Sequence, residues 1–131
     1  MNSSLWQGKQ NINYRKPISK NDSFDVAIIG AGFSGLWSAF HLKQFQPHLK
    51  IAIFEKEYVG FGASGRNGGW ASAEYPTSGN RLIKENGLES YKNLRTAITK
   101  SIDEIGEIAK SNNWQIDYAK GGALVFARGN A

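Results

Sequence analysis

The sequence predicts an α/β protein built on a strand, helix, strand unit, and three observations point to it. "FDVAIIG" and "KIAIFE" are short, bounded apolar runs rich in Ile and Val, suited to strands buried on both faces of a parallel sheet. Between them, "LWSAFHLKQF" places Leu36, Ala39, Phe40 and Lys43 at helical spacing, and Pro47 marks the helix end. The whole occupies roughly 30 residues, the size of a βαβ unit with its right-handed crossover.

In chain order, residues 1–21 are polar with isolated Leu5, Trp6 and Tyr14. They read either as an irregular arm on the surface of something larger or as a disordered tail. The first strand runs straight into Gly30, Gly32 and Gly35, which open the helix. That context gives an otherwise weak GxGxxG pattern its meaning. The first glycine permits a sharp turn, the second leaves the backbone open to a pyrophosphate, and the third lets helix and strand pack closely. The helix start then offers N–H groups and a partial positive charge to phosphates, and Ser34 can add a hydroxyl.

The second strand closes on Glu55, about 20 residues beyond Gly35, where an acid can accept hydrogen bonds from ribose hydroxyls. In isolation Glu55 would read as a solvated charge at a strand end. With strand, glycines, helix, strand and acid in order, the unit is a Rossmann-like FAD/NAD(P)-binding βαβ. A carboxylate beside a 2′-phosphate would repel it, which disfavours NADP relative to NAD or FAD.

Residues 58–80 shift to Gly, Ser, Ala and Asn without periodicity, a long loop of the kind that is functional or disordered. "YKNLRTAITKSIDEIGEIAKSNN" then sets Leu94, Ile98, Ile102, Ile105 and Ala109 on one face, an amphipathic helix whose apolar stripe meets a core. Asp103, Glu104 and Glu107 fall on its solvated face. "WQIDYAKGGALVFAR" reads as two strands joined by a turn at Gly121 and Gly122, which the family resemblance described below would make the start of a substrate-domain sheet.

Composition sets bounds on these readings. The 131 residues suit one domain or a piece of one, with 40% hydrophobic and 21% charged residues and no apolar run near a membrane span. The net charge is +5, but lysines and arginines are scattered and do not alternate with aromatic residues, which argues against nucleic-acid binding. There is no cysteine, so neither a disulfide nor a thiolate nucleophile or ligand is available. The first residues carry no apolar core of signal-peptide length, so a cytoplasmic location is the default. His41 and His48 have no companion ligands in sequence, and no metal site is expected.

The segment "EKEYVGFGASGRNGGWAS", together with "IIGAGFSGLWSAFHL", resembles the FAD-dependent amine and amino-acid oxidoreductases of the D-amino-acid oxidase and glycine oxidase superfamily, particularly the gamma-glutamylputrescine oxidase-like branch. The resemblance is strong from Asp25 to about Ser72 and extends weakly to "GGALVFAR"; the "SLW" of the arm also looks like the leader of such proteins. It implies that Gly30, Ala31, Gly32, Ser34 and Gly35 hold the FAD pyrophosphate. Glu55 would hold the adenosine ribose, with Lys56 near the adenine. Gly62, Ala63, Ser64, Arg66, Asn67, Gly68 and Gly69 would line the pyrophosphate and approach the flavin. A loop this rich in glycine can bring backbone N–H groups close to an anion or to flavin heteroatoms. Arg66 reads equally as a phosphate partner or a surface arginine, and Trp70 as a core side chain in preference to a neighbour of the flavin.

The implied chemistry is oxidation of the C–N bond of an amine or amino acid by hydride transfer to the flavin, with the cofactor doing the hard step and no catalytic side chain visible in this stretch. Family members are several times longer, so residues 22–131 read as the N-terminal part of an FAD-binding domain, present as a fragment that is inactive alone. Two other readings stand beside this one: an NAD-binding dehydrogenase domain, and a catalytically inactive truncated remnant. Substrate, electron acceptor and oligomeric state are not encoded here.

Overall fold

The computed structural model describes residues 12 and 14–124. The chain divides into two compact units, Met1–Trp70 and Ala71–Ala131.

The first unit is the βαβ motif. Strand β1 (Val26–Ile29) pairs in parallel with β2 (Ile51–Phe54), with Val26 opposite Ile51 and Ile29 opposite Phe54. Helix α1 (Phe33–Phe45) makes the crossover. The register is locked at both ends. Lys50 N donates to the Asp25 carboxylate at 2.7 Å, and Gly30 N donates to Phe54 O at 2.7 Å. Phe24 adds an edge-on contact with Phe54, and the Lys50 ammonium sits over the Phe24 ring while pairing with Asp22. At the far end of α1, Gln46 N donates to Leu42 O and Lys43 Nζ to the carbonyls of Pro47 and Leu49, so the helix stops where Pro47 was expected to stop it.

Burial on both faces of the strands is not observed. Along β1, half-buried and exposed residues alternate, and Ile29 is 84% exposed. The reason is geometric: covering both faces of a parallel sheet takes helices on both sides, and among the described residues of this unit α1 is the only α-helix. Helix α1 carries apolar side chains nearly all round, with Phe33, Leu36 and Phe45 exposed and a stacked ladder of Trp37, His41 and Phe45 one turn apart. Among the described residues of this unit, Ala31, in the turn between β1 and α1, is the one that is buried.

The second unit is a helix pair. Helix α2 (Gly79–Asn86) starts at Ser78, whose hydroxyl accepts from Arg81 N, and ends at Gly87, with φ +84°. Its first two residues fall at the end of the predicted loop and the others in a stretch for which the sequence analysis names no element. Helix α3 (Leu88–Ser111) follows at once and turns Leu94, Ile98, Ile102 and Ile105 to its less exposed side, with Ala109 buried. Glu104 and Glu107 are exposed as expected, whereas Asp103 is half-buried and pairs with Lys120.

The expected hairpin beyond α3 is not formed over the described residues. Residues 114–124 contain no strand; Asp117 has positive φ, which interrupts an extended run, and Tyr118 folds back to donate its hydroxyl to Ile102 O at 2.8 Å. The remainder of the second predicted strand lies outside the described residues, as does most of the N-terminal arm.

Candidate functional site

The turn after β1 has the geometry its glycines imply. Gly30 has φ +98°, in the region that side-chain-bearing residues rarely adopt. A Cβ on Gly35 would lie 2.1 Å from Gly30 O and 3.3 Å from Ile28 Cγ2, so only glycine lets the first turn of α1 rest on the end of β1.

Glu55 ties the second strand to that turn. Its carboxylate accepts from Ala31 N at 2.9 Å through one oxygen and from Glu57 N at 3.1 Å through the other. The bond from the Ala31 N–H, then that from Glu57, holds its pKa below the ordinary carboxylate value, against a smaller opposing effect of burial. Glu55 is therefore charged at neutral pH. Each oxygen retains lone-pair capacity for a further donor. Lys56 is exposed next to it.

The glycine-rich loop beyond β2 docks on the same turn. Gly60, with φ +76°, donates its N–H to Ala31 O at 3.0 Å, and the Ser64 hydroxyl accepts from Phe33 N at 2.9 Å. A short 3-10 turn, Ala63–Gly65, carries this serine. A Cβ on Gly65 would stand 2.2 Å from Gly60 O, repeating five residues apart the device of Gly30 and Gly35. Asn67 then pins the loop, its Nδ2 donating to the carbonyls of Ala63 and Ser64 while its Oδ1 accepts from Gly69 N at 2.7 Å. Gly69 has φ +73°, and a Cβ on Gly62 or Gly68 would meet nothing within 4 Å.

The fourteen positions singled out in the sequence thus fall in one unit, but with differing engagement. Glu55, Gly60 and Ser64 bond to Ala31 and Phe33 at the start of α1, beside Gly30, Gly32 and Gly35, and Asn67 folds the rest of the 62–69 loop back onto Ala63 and Ser64. Ser34 is exposed on the first helical turn, and the hydroxyl that meets the helix start is that of Ser64. Arg66 stacks its guanidinium over the Phe61 ring at 4.5 Å, and Phe61 in turn packs edge-on against Tyr58. Trp70 is 92% exposed, which overturns its reading as a core residue: the two-stranded sheet offers no interior for it.

Sequence reasoning missed the bonds that Ala31 makes through both backbone groups. Their only signal was the small residue between the first two glycines. Among the described residues, no group of three or more His, Asp or Glu side chains could hold a metal ion, and no helix is long and apolar enough to cross a membrane.

The chain is 36% identical to a probable oxidoreductase, OrdL, of Haemophilus influenzae over 83% of its own length and 25% of that protein. It is 31% identical to the gamma-glutamylputrescine oxidoreductase of Escherichia coli over 82% of this chain and 25% of the relative. To a sarcosine oxidase subunit beta of Rhizobium meliloti it is 32% identical over 62% of this chain and 19% of the other. The chain therefore spans about a quarter of the length of the first two of these relatives. No solved structure matches it. The FAD dependent oxidoreductase family pattern matches residues 25–131, and the chain belongs to that family, whose cofactor is FAD.

Proposed function

We propose that this chain forms the adenosine- and pyrophosphate-binding portion of an FAD-dependent oxidoreductase that oxidises the C–N bond of an amine or amino acid, and that residues 22–131 are the N-terminal part of its FAD-binding domain. The observation that carries the cofactor half is the convergence of two glycine loops and one charged carboxylate on the mouth of α1. The substrate half rests on relatives whose names specify gamma-glutamylputrescine and sarcosine, both amines.

The donor set suits a dinucleotide. Glu55 would accept from ribose hydroxyls while still holding Ala31 N. Gly30, where a Cβ would meet nothing within 4 Å, leaves the backbone bare for the approach of a pyrophosphate, and the first N–H groups of α1, which have no carbonyl one turn back within the helix, would supply donors to it. Gly62 and Gly68, whose missing side chains would touch nothing in the protein, leave room for a ligand along the second loop. Arg66 would offer a cation beside it. When bound, FAD supplies the two-electron oxidation of the C–N bond. The residues of this chain bind and orient it.

The test is a titration of the 131-residue chain with FAD, following flavin fluorescence and protein melting together, because a ligand that binds only the folded state raises its apparent stability. Saturable binding that Gly32→Leu abolishes, with NAD giving no such shift, is the expected result. Stabilisation by NAD and not FAD would replace this reading with the dehydrogenase one, and no response to either would refute it for this chain.

A further inference from the structure

We propose that Ser64 is a positioning residue that couples the two glycine loops, holding the 58–66 segment against the opening turn of α1 so that a dinucleotide meets both loops as one surface. The inference rests on the FAD reading for its ligand, but the coupling itself is a property of the chain alone.

The residue that caps helix α1 is Gly32, which has no side chain to hold the first N–H groups, and no local side chain takes that role. The Ser64 hydroxyl supplies the cap from 31 residues further along the chain, accepting from Phe33 N at 2.9 Å. The bare face of Gly32 is what makes room for it. A Cβ there would lie 2.9 Å from Ser64 Oγ, closer than real Cβ atoms come to a neighbour. The second glycine of the fingerprint thus serves a contact within the protein as well as the approach of a phosphate.

Two further features hold the serine in place. Gly60 N donates to Ala31 O at 3.0 Å on one side of it, and Asn67 Nδ2 grips the Ala63 and Ser64 carbonyls on the other. A hydroxyl that accepts from Phe33 still has its own proton to give. Ser64 can therefore cap the helix and donate to a phosphate oxygen in the same arrangement, which an alanine cannot do. Position 34, the serine the fingerprint suggests, is exposed and leaves this role to Ser64.

The experiment compares the 131-residue chain with Ser64→Ala, Ser64→Thr, Gly32→Ala and the Gly32→Ala/Ser64→Ala double variant, with helix content checked by circular dichroism. Amide exchange at Phe33, read without any ligand, is the primary measurement. It reports the cap whether or not FAD binds, so failure of the FAD reading leaves it decisive. Ser64→Ala and Gly32→Ala should each speed Phe33 exchange while amides within α1 keep theirs. Threonine should restore protection, and the double variant should lose no more than either single one, because both remove the same contact. The FAD dissociation constant should rise roughly two- to tenfold in Ser64→Ala, the size of one lost hydrogen bond, and return toward the original in Ser64→Thr. Unchanged Phe33 exchange in Ser64→Ala, additive losses in the double variant, or no rescue by threonine would overturn the proposal. So would unchanged FAD affinity in Ser64→Ala, if the unaltered chain binds FAD.

Discussion

Gly35→Ala sets a local gain directly against a local loss, so the sign of its effect is informative. Alanine is the better helix former by about 1 kcal/mol in a helix interior, and position 35 lies within α1. Against this, the new Cβ would stand 2.1 Å from Gly30 O and 3.3 Å from Ile28 Cγ2. The start of α1 has to retreat on the order of 1 Å to reach the edge of ordinary contact, and that is overpacking against backbone, worth about 1–3 kcal/mol. The same retreat stretches the 2.9 Å bond between Phe33 N and Ser64 Oγ past useful length, adding about 1 kcal/mol. With the propensity gain subtracted, the net loss is about 2–3 kcal/mol at the upper half of that range. For a chain of this size each kcal/mol moves the melting midpoint by roughly 3–5 °C, so thermal unfolding followed at the helix band should shift down by roughly 6–15 °C. An unchanged or raised midpoint would mean that the turn yields freely, and would refute the claim that Gly35 sets the distance between α1 and β1.

Gly106→Ala is the contrasting case in α3: its Cβ would meet the Tyr118 ring at 2.4 Å, a side chain on an exposed segment that can swing away. Propensity gain and the lost Tyr118 to Ile102 bond should nearly cancel, and in a Tyr118→Ala background the same change should stabilise by about 1 kcal/mol in a melting cycle. Gly62→Ala and Gly68→Ala, which meet nothing within 4 Å, should leave the ligand-free midpoint unchanged or slightly raised yet weaken FAD binding severalfold; equal affinity would remove both residues from the cofactor path. Glu55 has a folded-state pKa below its unfolded value, so its contribution is present above the unfolded pKa of about 4.3 and is lost as pH falls through the lower folded value. Melting between pH 7 and pH 3 should show an acid loss that Glu55→Gln reduces, the remainder including Asp22, whose pKa its bond with Lys50 also lowers. Identical pH profiles for the two chains would rule out that linkage.

What the sequence conveyed well was fixed by short-range sterics. The apolar runs at Val26 and Ile51, the glycine turn, Pro47 and the stripe from Leu94 to Ala109 each specify a local geometry, and each appears where expected. Three things were not legible, for separate reasons. Helix α2 has its apolar residues Leu82 and Ile83 side by side, too few to set a period, and its start is marked only by Ser78. The strand expected from Trp114 failed because alternating apolar residues describe an extended run only if φ stays negative, and Asp117 does not comply. The Ser64 cap could not be read because a hydrogen bond across 31 residues leaves no spacing signature. Glu55 shows the same limit from the other direction. Its position implied a ribose partner, yet in the protein it also holds Ala31 N, a role that spacing alone does not reveal.

The way the site is held accounts for its definition in a unit with so little interior. Ala31 is 2% exposed, while Ile29 beside it is 84% exposed and no large side chain is fully buried among the described residues. Hydrophobic burial therefore does little to fix the mouth of α1. Contacts that need no core fix it instead: two glycine pairs, each excluding a Cβ at 2.1–2.2 Å from a carbonyl oxygen, and bonds to Ala31 N, Ala31 O and Phe33 N from three points along the chain. Backbone sterics and hydrogen bonds of this kind act over a few ångströms and are insensitive to what packs further out. The geometry of the candidate site should accordingly survive substitutions on the exposed side of β1, such as Ile29→Thr, which leave every one of these contacts in place. Loss of Phe33 amide protection in that variant, with strand pairing intact, would show that the turn depends on the sheet face after all.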